Sequence, residues 1–255
     1  MIKNKYDFTI DNNISTCYID ALLIAMFYKK NTYIDNILNF KPKDNKFIYL
    51  QEIIKHKFLN KIRNNISITI NSIKELKILI QFLSKCKILD DPYEYNIPKF
   101  YDWLLNAFDV QPININNNLL IPHLDFNILS HSNYNVKALL SEFSSTNEIN
   151  LINNHLFIGI AFNRSDTNKS KINIMKRIKI YDKKNAKWII HSIICQKNID
   201  NLIHYYSLIH ISDNNWILYD DLNIPCIQDL NIKDTDKAAE IMSEVIFALY
   251  CCEDQ

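Results

Sequence analysis

A chain of 255 residues, 48% of them hydrophobic, is long enough to bury one sizeable core, or two lobes around a cleft, without disulfides or metals. Its 29 basic and 28 acidic residues are interspersed and leave a formal charge of +1, so no nucleic-acid partner and no anionic-lipid surface are expected. The opening MIKNKYDFTIDN turns polar before any apolar run of leader length, and no later run approaches the ~18 to 20 residues of a membrane span, so the expectation is a cytoplasmic protein without a membrane partner.

The six cysteines, Cys17, Cys86, Cys195, Cys226, Cys251 and Cys252, contain no C-x-x-C pair. Reduced thiols, no structural zinc and no cofactor are therefore expected. Ile, Asn and Lys are abundant and Gly159 is the single glycine, a bias of the kind an AT-rich genome produces, so one isolated Asn or Lys carries little weight.

In chain order, CYIDALLIAMFYKK places apolar residues at three- and four-residue spacings and predicts a helix capped by Ser15 or Thr16. INSIKELKILIQFLSKCKIL predicts a second, broken by Asp90, Asp91 and Pro92, and Pro98 can then open a third over PKFYDWLLNAFD. VQPININNNLLIP reads as a turn-rich junction. Beyond it, HLFIGIAF, KINIMKRIKIY, KWIIHSIICQ, HYYSLIHIS, NWILYDD and VIFALYCC are short, rich in Ile, Tyr and Trp, and separated by polar clusters, which predicts strands and turns. A helical lobe followed by an antiparallel β lobe, both in one folding unit, is the expected α+β architecture.

Chemistry concentrates at two places. Cys17 stands where the first helix begins, so helix-terminal N–H groups would face its sulfur and favour thiolate. Among seven histidines, His204 is singled out by HYYSLIHISDNNWILYDD, a strand, a turn and a second strand running into Asp220 and Asp221. Such a hairpin brings its ends together, so an aspartate at the end can reach a histidine at the start. An imidazole that takes the thiol proton, oriented by a carboxylate, is what acyl transfer by a thiol needs. Period-two alternation puts Trp216, Leu218 and Asp220 on one face and Asp221 on the other, which favours Asp220 and leaves Asp221 as the lesser candidate. His204 has no second ligand at a close zinc-like spacing, so no metal is expected there.

DNNISTCYIDALLIAMF resembles the cysteine box of the ubiquitin-specific protease family, N-x-G-N-T-C-Y followed by a helix, with Thr16, Cys17 and Tyr18 matching directly. The Asp20 that follows is closer to the C-Y-L-D-S form of the cylindromatosis-type enzymes. HYYSLIHISDNNWILYDD resembles the family's histidine box, G-H-Y followed by W-x-x-F-D-D, with Ile203 in place of the glycine. HLFIGIAFNR, KWIIHSIICQ and VIFALYCC are similar, in order, to later strands of the family, and IPKFYDWLLNAFD stands where the family has the helix after its Q-Q-D-A-x-E-F box, without the polar signature.

The resemblance implies a papain-like cysteine peptidase fold in one domain, with a helical thumb lobe over residues 1–118 and a β-rich palm lobe over 119–255. It implies Cys17 as nucleophile, His204 as base, Asp220 as the orienting carboxylate and Asn12 as the oxyanion donor, with Asn13 its neighbouring competitor and Ile14 in place of a glycine. The short chain and the missing C-x-x-C pairs imply reduced or absent zinc fingers, as in compact members from parasites and large DNA viruses, and hence host cytoplasm as a possible location. The expected activity is hydrolysis after the C-terminal glycine of ubiquitin by a monomer whose partners are ubiquitin or ubiquitin-like conjugates. A protease for a SUMO-like modifier or a viral polyprotein, and a non-catalytic ubiquitin binder, are the alternatives.

Overall fold

The computed structural model describes residues 17–84, 96–117, 119–129, 133–150, 156–164, 170–180, 187–200, 202–232 and 235–253. Asn12, Asn13, Ile14, Ser15 and Thr16 lie outside them, as do the helix break at Asp90, Asp91 and Pro92 and two of the histidines, His131 and His155.

Helix α1 spans Cys17–Phe27, and all eleven of its residues are buried. A helix apolar around its whole circumference belongs inside a core, and α1 packs with the other helices on one side and a large sheet on the other. Asp20 is its one charged residue. Helix α2, Ile70–Ser84, turns Ile73, Leu76 and Ile80 inward at helical spacing and buries Lys77 with them. Helix α3, Ile97–Ala107, carries Pro98 in its first turn, where a missing N–H costs nothing, and Asn96 caps it by accepting from the Lys99 N–H at 3.1 Å. Between α1 and α2, helical residues Lys46–Glu52 continue through a π-helical stretch, Ile53–Leu59, into Asn60–Arg63.

The large sheet has eight strands: β1 Leu124–Asn127, β2 Phe157–Asn163, β3 Arg177–Lys179, β4 Lys187–Ile199, β5 Leu202–Ser212, β6 Asn215–Tyr219, β7 Ile227–Asn231 and β8 Val245–Cys252. They lie in the order β7-β6-β5-β4-β8-β2-β1, with β3 paired to the start of β4. Only β1 and β2, among these pairs, run parallel. The β4–β5 hairpin pairs Ile199 with Leu202 and, farther along, Lys197 with His204. One face of the sheet, with Ile194, Tyr205, Ile209, Tyr219 and Phe247, packs on α1 and α3. The other, with Ile193, Tyr206, Leu208, Trp216 and Tyr250, forms a second core.

That second core is closed by two helices in a region where only strands and turns are expected. Helix α4, Val136–Thr146, buries Val136 and Leu140 and is capped by Asn135, which accepts from the Lys137 N–H at 2.9 Å. Helix α5, Thr235–Glu244, runs directly into β8. KINIMKRIKIY is not one strand either, since it divides into Ile172–Asn173 and β3. The expected turn-rich junction instead forms two short strands, Ile113–Ile115 and Leu119–Ile121, in a three-stranded sheet with Ile149–Asn150. Among the described residues no helix is long and apolar enough to cross a membrane.

Candidate active site

Cys17 opens α1 and is buried but for 8% of its surface, with Sγ 4.0 Å from the carbonyl oxygen of Ile203. The next residue of β5 is His204. Its Nε2 donates to Asp220 Oδ1 at 2.8 Å, and the backbone contact at Ile203 brings this end of β5 beside Cys17. Burial works against a charged ring here, but the hydrogen bond to Asp220 and the charges of Asp220 and Asp221, with Cys17 nearby, outweigh it and raise His204 to about 9.

Asp220 follows the last residue of β6, and the backbone turns there. Its N–H donates to the Cys226 carbonyl at 2.9 Å, and its own carbonyl accepts from the Asn223 N–H at 3.0 Å. The side chain takes part in the same turn, with Oδ1 accepting from the Leu222 N–H at 3.1 Å, an aspartate turn of the kind that fixes a carboxylate to its own backbone. Oδ2 accepts from Lys197 Nζ at 2.7 Å. Burial alone would lift this carboxyl, yet the bonds from His204 and Lys197 hold it down at about 2.

Asp221 Oδ1 is 3.5 Å from His204 Nε2. On the helical side, Asp20 stands one turn along α1 from Cys17 and is fully buried, with Lys77 Nζ of α2 3.8 Å from its Oδ2. Burial pushes Asp20 up to about 7; Lys77 pulls it down and Asp221 pushes it up.

His204, Asp220 and Asp221 could each offer a metal ion one atom within 4.8 Å of the others, a grouping that the sequence spacing does not suggest. The 2.8 Å separation of Nε2 and Oδ1 is that of a direct hydrogen bond, shorter than the ~3.3 Å between two ligands on a tetrahedral zinc.

The other described thiols and imidazoles have different surroundings. Cys195 and Cys251 are buried within strands, and burial pushes both thiols up, Cys251 to about 12. His191 donates to the Met26 carbonyl at 3.0 Å, at the far end of α1 from Cys17, and burial holds it down at about 4. His123 is tied to Asp102 and Asp125, and the exposed His56 to Glu52. His210 packs against Trp216 at 4.9 Å between centroids.

Sequence reasoning missed Lys197 and Lys77. The strand expected over KWIIHSIICQ stops at Gln196, whereas β4 runs on to Ile199 and sets Lys197 directly across from His204. Reading Asp200 and Asn201 as a two-residue hairpin link would have given that pairing. Lys77 has no local signal, because its partner Asp20 lies in another helix.

Neither a protein-family model nor a curated protein sequence matches the chain. Solved structures do. The SAGA DUB module Ubp8/Sgf11/Sus1/Sgf73 bound to monoubiquitin aligns with a TM-score of 0.65 at 12% identity, over 96% of this chain and 69% of that one. The same module bound to ubiquitin aldehyde gives 0.65 and 12%, over 100% and 72%. An essential yeast splicing factor gives 0.60 and 14%, over 93% and 67%. At such identities the likeness concerns the fold alone, and the fold is α+β and papain-like.

Proposed function

We propose that this chain is a thiol isopeptidase that hydrolyses the bond after the C-terminal glycine of ubiquitin, built as a single peptidase domain with a thumb over residues 1–118 and a palm over 119–255. The observation that carries the reading is the 2.8 Å bond from His204 to Asp220 on a strand whose preceding residue, Ile203, has its carbonyl 4.0 Å from Cys17 Sγ. His204 takes the thiol proton of Cys17 as general base. The sulfur attacks the glycine carbonyl, His204 protonates the departing lysine amine, and water, deprotonated by the same ring, then hydrolyses the thioester. Asn12 is the proposed oxyanion donor and lies outside the described residues.

The ubiquitin-bound neighbours support ubiquitin as the modifier. A second reading is a non-catalytic binder of a ubiquitin-like partner, since the fold's neighbours include a protein named as a splicing factor. Reaction with ubiquitin carrying a C-terminal vinyl sulfone separates them. The isopeptidase forms one covalent adduct that Cys17→Ala and His204→Ala abolish. Binding of ubiquitin without any adduct supports the second reading, and an adduct with a SUMO probe alone changes the modifier.

A further inference from the structure

We infer that Lys197 is a positioning residue of this site: its ammonium fixes the second oxygen of Asp220 and thereby sets how firmly that carboxylate holds the proton of His204. The consequence for turnover rests on the proposed peptidase reading; the geometry does not.

Lys197 and His204 are direct cross-strand partners on β4 and β5, so their side chains leave the sheet on the same face. Both reach Asp220, His204 at Oδ1 and Lys197 at Oδ2, at 2.8 and 2.7 Å. A carboxylate held at one oxygen by the imidazole and the Leu222 N–H can still swing its other oxygen, and the ammonium stops that rotation. Lys197 is itself held in place, with Nζ 5.1 Å from the centroid of the Tyr206 ring, whose hydroxyl donates to Glu244 at the end of α5.

The same ammonium competes with the imidazolium for one carboxylate charge. Removing it leaves Asp220 wholly to His204, which then keeps its proton to higher pH. The other charged groups around the pair are Asp221, 3.5 Å from His204 Nε2, and Lys237, Glu240 and Glu244 of α5. These three line, with Lys197 and Asp220, a cavity of about 180 Å³ on the sheet face opposite α1. Lys197 is partly exposed, so its ion pair has little weight in holding the fold, and its effect falls on the charge of Asp220.

The test is a pH titration of the His204 ring by NMR in histidine-labelled protein, assigned with His204→Gln, in wild type, Lys197→Met and Lys197→Arg. The ring should titrate about one pH unit higher in Lys197→Met, the scale on which a neighbouring charge acts, and return to the wild-type value in Lys197→Arg. The alkaline limb of kcat/KM on a ubiquitin substrate should move with it. An unchanged titration in Lys197→Met overturns the inference, whatever happens to the rate, because a merely structural lysine alters amplitude without moving the ring. Where Lys197→Met does not fold, Lys197→Gln carries the same titration. A wild-type protein inert toward ubiquitin overturns the proposed substrate, while the titration still decides the role of Lys197.

Discussion

The carboxylates of Asp220 and Asp221 both face His204 Nε2, Asp220 at 2.8 Å and Asp221 at 3.5 Å, so the two aspartates that end the second hairpin strand surround one nitrogen. They differ in what else they hold. Asp220 accepts from His204, the Leu222 N–H and Lys197, whereas Asp221 contributes its charge to the buried neighbourhood of Asp20 and Lys77.

This difference ranks two substitutions. In Asp220→Asn three donors meet an amide with a single oxygen, so at least one faces an NH₂ group, and the imidazole loses its oriented acceptor. The expected loss in kcat/KM on a ubiquitin substrate is ~10²- to 10⁴-fold, toward the upper end if the ring takes the wrong tautomer. Asp221→Asn keeps the 2.8 Å bond and should lose less than about 10-fold. The reverse ranking would pass the orienting role to Asp221.

Because the same three side chains could hold a divalent ion, chelation is a direct check. Activity should survive dialysis against a strong chelator. One equivalent of zinc by elemental analysis, with activity lost on its removal and restored by its return, would replace the hydrogen-bonded triad with a metal site.

The sequence made the chain's two ends legible and its middle much less so. Cys17 at a helix start and His204 with Asp220 in one hairpin are short-range patterns, so the order of residues alone exposes them. The same holds for Pro98 in the first turn of α3. Helices α4 and α5 were hidden because each buries only a narrow stripe, Val136 with Leu140 in one and Ile241 in the other, among residues that otherwise suit turns. Lys77 was invisible for another reason, since a buried ammonium depends on tertiary packing that brings α2 against α1. Period-two alternation puts Leu218 and Asp220 on one face, and both line one cavity. Alternation does not anticipate that Asp221, on the other face, also stands within 3.5 Å of the ring, because the chain turns at the strand's end.

Gly159 shows how tightly helix and sheet approach. A Cβ there would fall 2.5 Å from Cζ of Phe247 and 3.0 Å from Cε1 of Tyr101, so the rings of β8 and α3 occupy the space a side chain would need. Gly159→Ala should destabilise the protein by about 1–3 kcal/mol through overpacking. Adding Phe247→Leu should recover part of that loss, since the two changes meet at one contact and are not independent. Urea unfolding of the four proteins in the cycle measures the coupling; strictly additive effects would show that the ring moves aside freely.

A second ion-paired histidine gives the fold a pH dependence of its own. His123 lies just before β1, with Nδ1 2.6 Å from Asp102 Oδ1 of α3 and Nε2 3.2 Å from Asp125 Oδ1 of β1. Two carboxylates accept from the two ring nitrogens, so both nitrogens carry protons and the ring is an imidazolium. Burial opposes the charge, but the bonds to Asp102 and Asp125 outweigh it and raise His123 to about 9. A folded-state value above the unfolded ~6.5 means that the stabilisation is fully present below about pH 6.5 and is lost as pH rises through 9. Asp125 is half exposed, so solvent screens part of the interaction, and about 1–2 kcal/mol is the expected size. His204 titrates in the same window, so the comparison must be made against His123→Gln, which leaves His204 in place. The stability difference between wild type and His123→Gln should be constant below about pH 6.5 and shrink steadily toward about pH 9.5 in urea unfolding. A difference that stays the same across that range would mean the ring is not held charged, and that α3 and β1 are joined by packing alone.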